Sequence, residues 1–506
     1  MLWFLLCVAL LLAGYFIYGS IIERIFKINP SRPTPAHHMA DGVDYVPMSK
    51  KKIWLIQLLN IAGTGPIFGP ILGALYGPVA MLWIVFGCIF AGAVHDYFCG
   101  MLSIRNKGAN IPFLAGKYLG RPVKHFMNVL AILLLLLVGV VFVASPASLL
   151  TNITGDLLNS GAVGAGAVNE ESGTSNANIL MIWTAIIFVY YIIATLVPID
   201  KIIGRIYPLF GALLLFMTVG MLFGLIFEGI PMFRSVGMDV DFATFFQNLH
   251  PKEGLPIWPL LFITIACGAI SGFHATQTPL MARCAENEKE GRFIFYGAMI
   301  GEGVIALIWC MVGLSFYETS EAMNAAIVSG TPSKVVYDSA IGMLGVFGGI
   351  LAVLGVVILP ITSGDTAFRA ARLLIADFFH LDQRNIAKRL MIAIPLFIVG
   401  FAVSKIDFSI LWRYFGWANQ TTATVMLWVA AAYLYRYNKF HWVCTVPAIF
   451  MTSVCTTFLA YAPIGFGLEY QTAVYVGFAL TIVITLAFFL MLKPIADGDP
   501  DSETVS

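Results

Sequence analysis

Apolar residues in this chain run in long blocks, without the alternation of a strand or the one-sided stripe of a surface helix. The blocks fall at 2–19, 53–73, 78–101, 123–150, 179–197, 206–227, 257–280, 293–317, 350–375, 389–404, 414–435, 441–461 and 470–491. A helix of about 20 apolar residues crosses a hydrocarbon core of about 30 Å. The pattern therefore predicts an all-α polytopic membrane protein with about thirteen transmembrane helices. No stretch between the blocks fits a soluble domain.

Composition agrees. Of 506 residues, 59% are hydrophobic and 11% charged, against about 25% charged in soluble domains. The net charge of +1 gives no reason to expect a nucleic-acid partner. The eight cysteines stand singly, mostly in apolar blocks and without a C-x-x-C, and read as small buried hydrophobes. Residues 1–19 lack the basic start and the cleavage site of a signal peptide, so they read as a retained helix.

Charge orients the threading. Alternate connections, together with the C-terminal tail, carry 24 of the 29 Lys and Arg, and the opposite set carries Arg234, Lys252, Lys334, Lys405 and Arg413. By the positive-inside rule the N-terminus is expected outside and the C-terminus in the cytoplasm of a plasma (inner) membrane. Residues 151–178, free of Lys and Arg, read as a flexible external loop. Residues 318–349 read as amphipathic pieces over an external entrance, and the tail "ADGDPDSETVS" as disordered.

Two apolar blocks are interrupted. "NIAGTGPIFGPI" (60–71) holds three glycines and two prolines in twelve residues. Gly65 and Gly69 have the spacing of a small-residue packing motif, but packing does not explain Pro66 and Pro70 as well. Gly63 and Gly65 do not make a phosphate loop, because no strand precedes them and no Lys-Ser/Thr follows. "ACGAISGFHATQTP" (266–279) is the second interruption. Irregular backbone is tolerated in a membrane only when buried or lining a polar cavity, so both read as broken helices with bare N–H and C=O groups near the midplane. Counted from the block at 53–73, the second is the sixth, as two five-helix repeats of inverted topology require. The expected division is 1–52 (helix and cytoplasmic loop), 53–227 (first repeat), 228–256 (external loop), 257–435 (second repeat), 436–492 (two helices) and 493–506 (tail).

Six stretches together resemble a known family: "DGVDYVP" (41–47), "NIAGTGPIFGPI", "GAVHDY" (92–97), "ACGAISGFHA", "PITSGDTAFRAAR" (360–372) and "FGWANQ" (415–420). They are similar to the carbon starvation protein A family, in a short form whose "HATQTPLMARC" departs from the longer members. The resemblance implies a secondary transporter of the amino acid–polyamine–cation superfamily with a LeuT-like fold. It also implies proton-driven uptake of peptides or pyruvate under nutrient limitation.

Polar residues inside the apolar blocks are the candidates for function. Glu302 lies near the midplane, where a carboxylate loses its hydration and a proton becomes its natural partner; a structural hydrogen bond is the alternative. His274 follows the second interruption and suits a proton relay or a substrate hydrogen bond. His95 and Asp96, about 25 Å into their span by helical rise, are expected close to the cytoplasmic face as an inner gate, a proton exit or a helix anchor. Gln57, Asn60, Gly63, Thr64, Gly65, Ser271, Gly272 and Gln277 surround the interruptions and are expected to bind substrate. In LeuT-like folds a hydroxyl pair on the eighth helix faces a cation site, which makes Thr362 and Ser363 the sodium candidates. Asp365 and Arg369 are spaced to pair. Asn419 and Gln420, with Thr421 and Thr422, suit a vestibule or a helix–helix hydrogen bond equally.

These residues point to alternating-access symport of a short peptide, pyruvate or another small carboxylate, with protons or sodium as coupling ion and no other cofactor. A channel would need a continuous polar stripe. An enzyme would need a metal cluster or a nucleophile–base pair, and His274 has no Cys or Asp neighbour along the chain. The expected partners are the lipid bilayer and a small-molecule substrate; the sequence does not specify an oligomeric state.

Overall fold

The computed structural model describes residues 2–493 except 42–44, 161–172, 197–198, 228–229, 238–239, 380 and 382–385. Its long helices are α1 (Leu2–Phe26), α2 (Lys50–Ile61), α3 (Gly65–Ala74), α4 (Val79–Arg105), α5 (Arg121–Ser160), α6 (Gly173–Leu196), α7 (Ile199–Phe227), α8 (Ile257–Thr264) and α9 (Gly272–Ala282). They continue with α10 (Glu288–Ser315), α11 (Ser320–Phe378), α12 (Ile386–Val403), α13 (Phe408–Arg436), α14 (Trp442–Tyr461) and α15 (Tyr470–Met491). Among the described residues, nine helices and the bent pair α2–α3 are long and apolar enough to span a membrane. The α8–α9 pair, α7 and α13 occupy the other three expected spans.

The two interruptions are where the sequence puts them, with shifted edges. α2 and α3 are bent by 51° across residues 62–64. α8 and α9 are separated by residues 265–271. The two broken helices pack in matching ways: α3 lies along α10, and α9 lies along α4. α5 and α11 form the other large packed pair, and α14 and α15 stack beyond α13.

The external loop expected at 151–178 is largely helix. Residues 151–160 continue α5 and 173–178 begin α6, while 161–172 lie outside the described residues. An apolar helix continues past its span when nothing in the chain breaks it, and no Pro or Gly stands between Pro146 and Gly155. The stretch at 318–349 belongs mostly to α11, which leaves helical geometry at Gly330, Thr331 and Gly345. The acidic tail lies almost wholly outside the described residues.

Residues from connections that the charge pattern puts on one side contact one another. On the Lys/Arg-rich face, Glu288 is fully buried and accepts two hydrogen bonds from Arg105, both at 2.9 Å. It also accepts the Asn29 backbone N–H at 2.8 Å. Arg105 itself donates to Tyr433 Oη and the Lys27 carbonyl and covers the Phe26 ring at 4.0 Å. One ion pair thus ties the ends of α1, α4 and α13 to the first residue of α10. On the other face, Arg234 pairs with Glu318, and Tyr461 donates to the Gly254 carbonyl at 2.8 Å.

All eight cysteines are buried, so engineered ones can be read against a silent background. Cysteine at the exposed Glu253 should be labelled by an impermeant maleimide from outside, and cysteine at the exposed Lys107 only from inside; the reverse pattern would overturn the charge-derived orientation. Glu288→Gln leaves Arg105 without its counter-ion and should cost about 3–5 kcal/mol, seen as a lowered unfolding temperature in detergent. An unchanged temperature would show that this pair does not hold the face together.

Candidate functional site

The second break is built by α13. Residues 412, 416, 419, 420 and 423 recur at helical spacing and face α8 and α9. Trp412 Nε1 donates to the Thr264 carbonyl at 3.2 Å, and Gln420 Nε2 donates to the Phe262 and Ile265 carbonyls at 2.9 and 3.3 Å. Asn419 Nδ2 donates to the Ala266 carbonyl, and its Oδ1 accepts the Phe273 N–H at 2.7 Å and the Ser271 hydroxyl at 3.2 Å. Each backbone group that the break frees and α13 takes would otherwise cost several kcal/mol in the membrane. Gly416 permits the approach, since a Cβ there would stand 2.8 Å from the Ile263 carbonyl.

The two breaks touch. A Cβ on Gly65 would overlap Cys267, whose Cβ is 2.6 Å away, and a Cβ on Gly268 would come within 3.9 Å of the Pro66 Cα. Gly268 has φ +86°, a left-handed conformation that glycine adopts without strain. α4 comes equally close from its other side. It widens into a π-helical turn at Cys88–Gly92, where Gly92 meets the Ala269 carbonyl.

That approach assembles a chain of ionisable groups, all fully buried. His95 Nδ1 is 2.7 Å from Asp96 Oδ1, and His274 Nδ1 is 2.9 Å from Asp96 Oδ2. His274 Nε2 is 3.1 Å from Glu302 Oε2. A carboxylate only accepts, so both Nδ1 atoms carry the proton toward Asp96. The His274 Nε2 lone pair then faces Glu302, and a bare carboxylate there would repel it, so a proton belongs in that gap. His95 Nε2 at one end of the chain and both Glu302 oxygens at the other are buried without a hydrogen-bond partner, as is His274 Nε2, which meets Glu302 only as the close approach above. Cys267 Sγ lies within 4.8 Å of the donor atoms of His274 and Glu302.

Glu302 stands fourteen residues after Glu288 and thirteen before Ser315 in α10, at mid-helix as expected. The placing of His95 and Asp96 near the cytoplasmic face is corrected. α4 runs on to Arg105, so Asp96 is about 14 Å from the helix end and meets His274 instead of a surface. His274 has no Asp beside it along the chain, but in the fold Asp96 reaches it from α4, and Cys267, seven residues earlier in the break, lies close as well.

The expected substrate residues are all buried but divide into two groups. Gly63, Gly65 and Gly272 are close-packing positions against Phe142, Cys267 and the α13 backbone, and Ser271 belongs to the Asn419 clamp. Gln57 Oε1, Thr64 Oγ1 and Gln277 Oε1 remain without hydrogen-bond partners, so these three keep capacity for a ligand. Gln57 Nε2 meanwhile donates to Thr278 Oγ1 at 3.0 Å, tying α2 to α9. Asn60 is buried at the last turn of α2. Thr362 donates back to the Leu359 carbonyl at 2.8 Å, whereas the Ser363 hydroxyl is buried and unpartnered. Asp365 and Arg369 pair at 3.4 Å. Asn419 and Gln420 are helix–helix ties and not vestibule residues. Cys267 and Trp412 were missed; their signal was placement inside the "ACGAISG" break and seven residues before Asn419.

A model of the carbon starvation protein CstA family matches residues 1–163, 153–341 and 333–460, and a single transmembrane helix domain matches 467–493. An uncharacterized membrane protein of Haemophilus influenzae is 66% identical over 65% of this chain and 95% of its own. The peptide transporter CstA of Bacillus subtilis is 26% identical, covering 87% of each chain. The pyruvate/proton symporter BtsT of Escherichia coli is 29% identical over 62% of this chain and 48% of its own. In fold, the chain is similar to MhsT, solved in complex with L-phenylalanine, with a TM-score of 0.56 over 88% of this chain and 98% of that one at 14% identity.

Gly65→Ala should lower stability by about 1–3 kcal/mol, as overpacking does, because the added Cβ enters the space of Cys267. Adding Cys267→Gly should restore much of the loss. Equal unfolding temperatures for wild type and Gly65→Ala would show that the breaks are not in contact.

Proposed function

The chain belongs to the carbon starvation protein CstA family, and from that premise we propose that it is a proton-coupled symporter of short peptides, pyruvate or other small carboxylates, working by alternating access. The observation that carries this reading is the buried series His95–Asp96–His274–Glu302, ending on a free carboxylate oxygen beside two broken helices. An imidazole with a carboxylate on each nitrogen can take a proton at Nε2 and release one at Nδ1, so His274 passes a proton between Glu302 and Asp96 without leaving its place.

The coupling logic is local. His274 lies in the first turn of α9, directly after the break. A change of charge there alters the field at the backbone that must rearrange when the site opens to the other face. At the α9 N-terminus Asn419 already takes the Phe273 N–H, so the substrate carboxylate is assigned to the α2–α3 break at Thr64, whose hydroxyl has no partner. Gln57 and Gln277 offer acceptors for an amine or hydroxyl on the same substrate. The free Ser363 hydroxyl supports a second reading, a sodium ion on α11, which needs donors beyond Thr362. The N-terminus outside and the C-terminus in the cytoplasm complete the proposal, with uptake running inward.

Counterflow in proteoliposomes, with labelled pyruvate set against alanyl peptides, tests the substrate class; failure of both would sink the reading. Glu302→Gln keeps the shape and removes the exchangeable proton. Uphill accumulation driven by a pH gradient should disappear while substrate exchange survives, and Glu302→Asp should retain partial accumulation with a shifted pH optimum. Undiminished accumulation by the Gln variant would remove Glu302 from the path; accumulation that follows a sodium gradient would move coupling to Ser363.

A further inference from the structure

On the face poor in Lys and Arg a cavity of about 770 Å³ opens between the ends of α3, α8, α11, α13 and α14. Its lining includes His250, Lys252, Asp407, Trp412, Arg413 and Thr264. It reaches the hydrogen bond from Trp412 to the Thr264 carbonyl, the last residue of α8 before the second break. The cavity thus ends one residue short of the second break.

Its charge is unbalanced in a specific way. This face has five Lys and Arg. Arg234 is paired with Glu318, Lys334 with Asp338 at 3.1 Å, and Lys405 lies 4.7 Å over the Phe401 ring. The remaining two, Lys252 and Arg413, both line the cavity, and neither forms an ion pair with a described residue. The one carboxylate in the lining, Asp407, caps α13 by accepting from the Ser409 N–H at 2.9 Å and from its hydroxyl. Glu469 nearby in the chain caps α15 in the same way, and Glu253 is exposed outside the lining. Burial and the Lys252 cation push the His250 imidazole down to about 4, so it is neutral at pH 7 and offers a hydrogen bond, not a charge. Its ring stacks edge-on against Tyr76 at 4.8 Å.

We propose that this vestibule is a capture site for the carboxylate of an incoming substrate, with Arg413 and Lys252 holding the anionic end before it passes Trp412. This rests on the reading of the protein as a peptide or carboxylate symporter. Arg413, partly buried beside the floor, presents a planar fork suited to a carboxylate. Lys252, at the exposed rim, adds a long-range pull that salt screens. Two cations against one carboxylate, which is engaged in capping α13 and already lies in the field of Arg413, leave the lining an excess of one positive charge, and in a cavity of this size that suits a small monocarboxylate or the C-terminus of a short peptide. That excess disfavours a cation or a peptide amidated at its end.

The test compares initial uptake of pyruvate, dialanine and dialanine amide from this face in wild type, Arg413→Gln/Lys252→Gln and Arg413→Lys. The double variant should raise KM about tenfold for whichever free acid is carried, with kcat unchanged, as expected when binding alone is lost. Its wild-type KM advantage should also fade with rising salt, and exchange started from the opposite face should be unaffected. The amide should show no difference between wild type and the double variant, and Arg413→Lys should recover most of the affinity. An unchanged KM for the acid in a working double variant, or equal losses for acid and amide, would overturn the capture site alone. A wild type that carries none of the three would sink the transport reading and this inference together.

Discussion

A backbone N–H or C=O in hydrocarbon has no water to turn to, and leaving one unpaired costs several kcal/mol. This protein breaks two helices in the middle of its core, and much of its architecture supplies the partners. α13 devotes one face to that task, with Trp412, Asn419 and Gln420 each taking groups freed by the α8–α9 break. The breaks then lie against each other through glycine, Gly65 on Cys267 and Gly268 toward Pro66. A deformation of one break is therefore felt by the other and by α13, which is the mechanical condition for switching between two arrangements.

Buried charge obeys the same rule. Asp96, His274 and Glu302 come from three helices and are fully buried, and each is bearable only because the next one faces it. His274 Nε2 and Glu302 Oε2 stand 3.1 Å apart, so a proton gained or lost between them would change the charge of the whole set. The π-helical turn of α4 has a definite place in this arrangement, since it brings Gly92 onto the Ala269 carbonyl and so sets Asp96 within reach of His274. The two faces of the bundle are treated differently: Glu288 and Arg105 bolt one, while the other opens into a vestibule that ends at Trp412.

Much of this was legible along the chain. The spans follow from apolar block length, and both breaks follow from Gly and Pro in places where hydrocarbon punishes them. Glu302 at mid-span follows from counting residues at helical rise. Asp96 reads too near a surface for an instructive reason: the apolar block ends near 101, but the helix continues through polar residues to Arg105, where Glu288 receives it. Hydropathy marks where lipid ends, not where a helix does. Gly65 and Gly272 read as room for substrate, yet they are room for Cys267 and for α13. A missing side chain creates a contact or a void depending on what stands opposite, and the chain does not say.

The sequence by itself therefore determined the class of protein, the order of its apolar blocks, the places of the two interruptions, and the residue types from which a coupling site could be made. These depend on local composition and on spacing within one helix, where the geometry is regular. Tertiary structure alone decided that His95, Asp96, His274 and Glu302 form one series, that Asn419 and Gln420 serve the break rather than the vestibule, and that Lys252 and Arg413 share a cavity without partners. Those facts join residues up to about two hundred positions apart. They are set by which helix faces meet, and a face acquires its meaning only from the one packed against it.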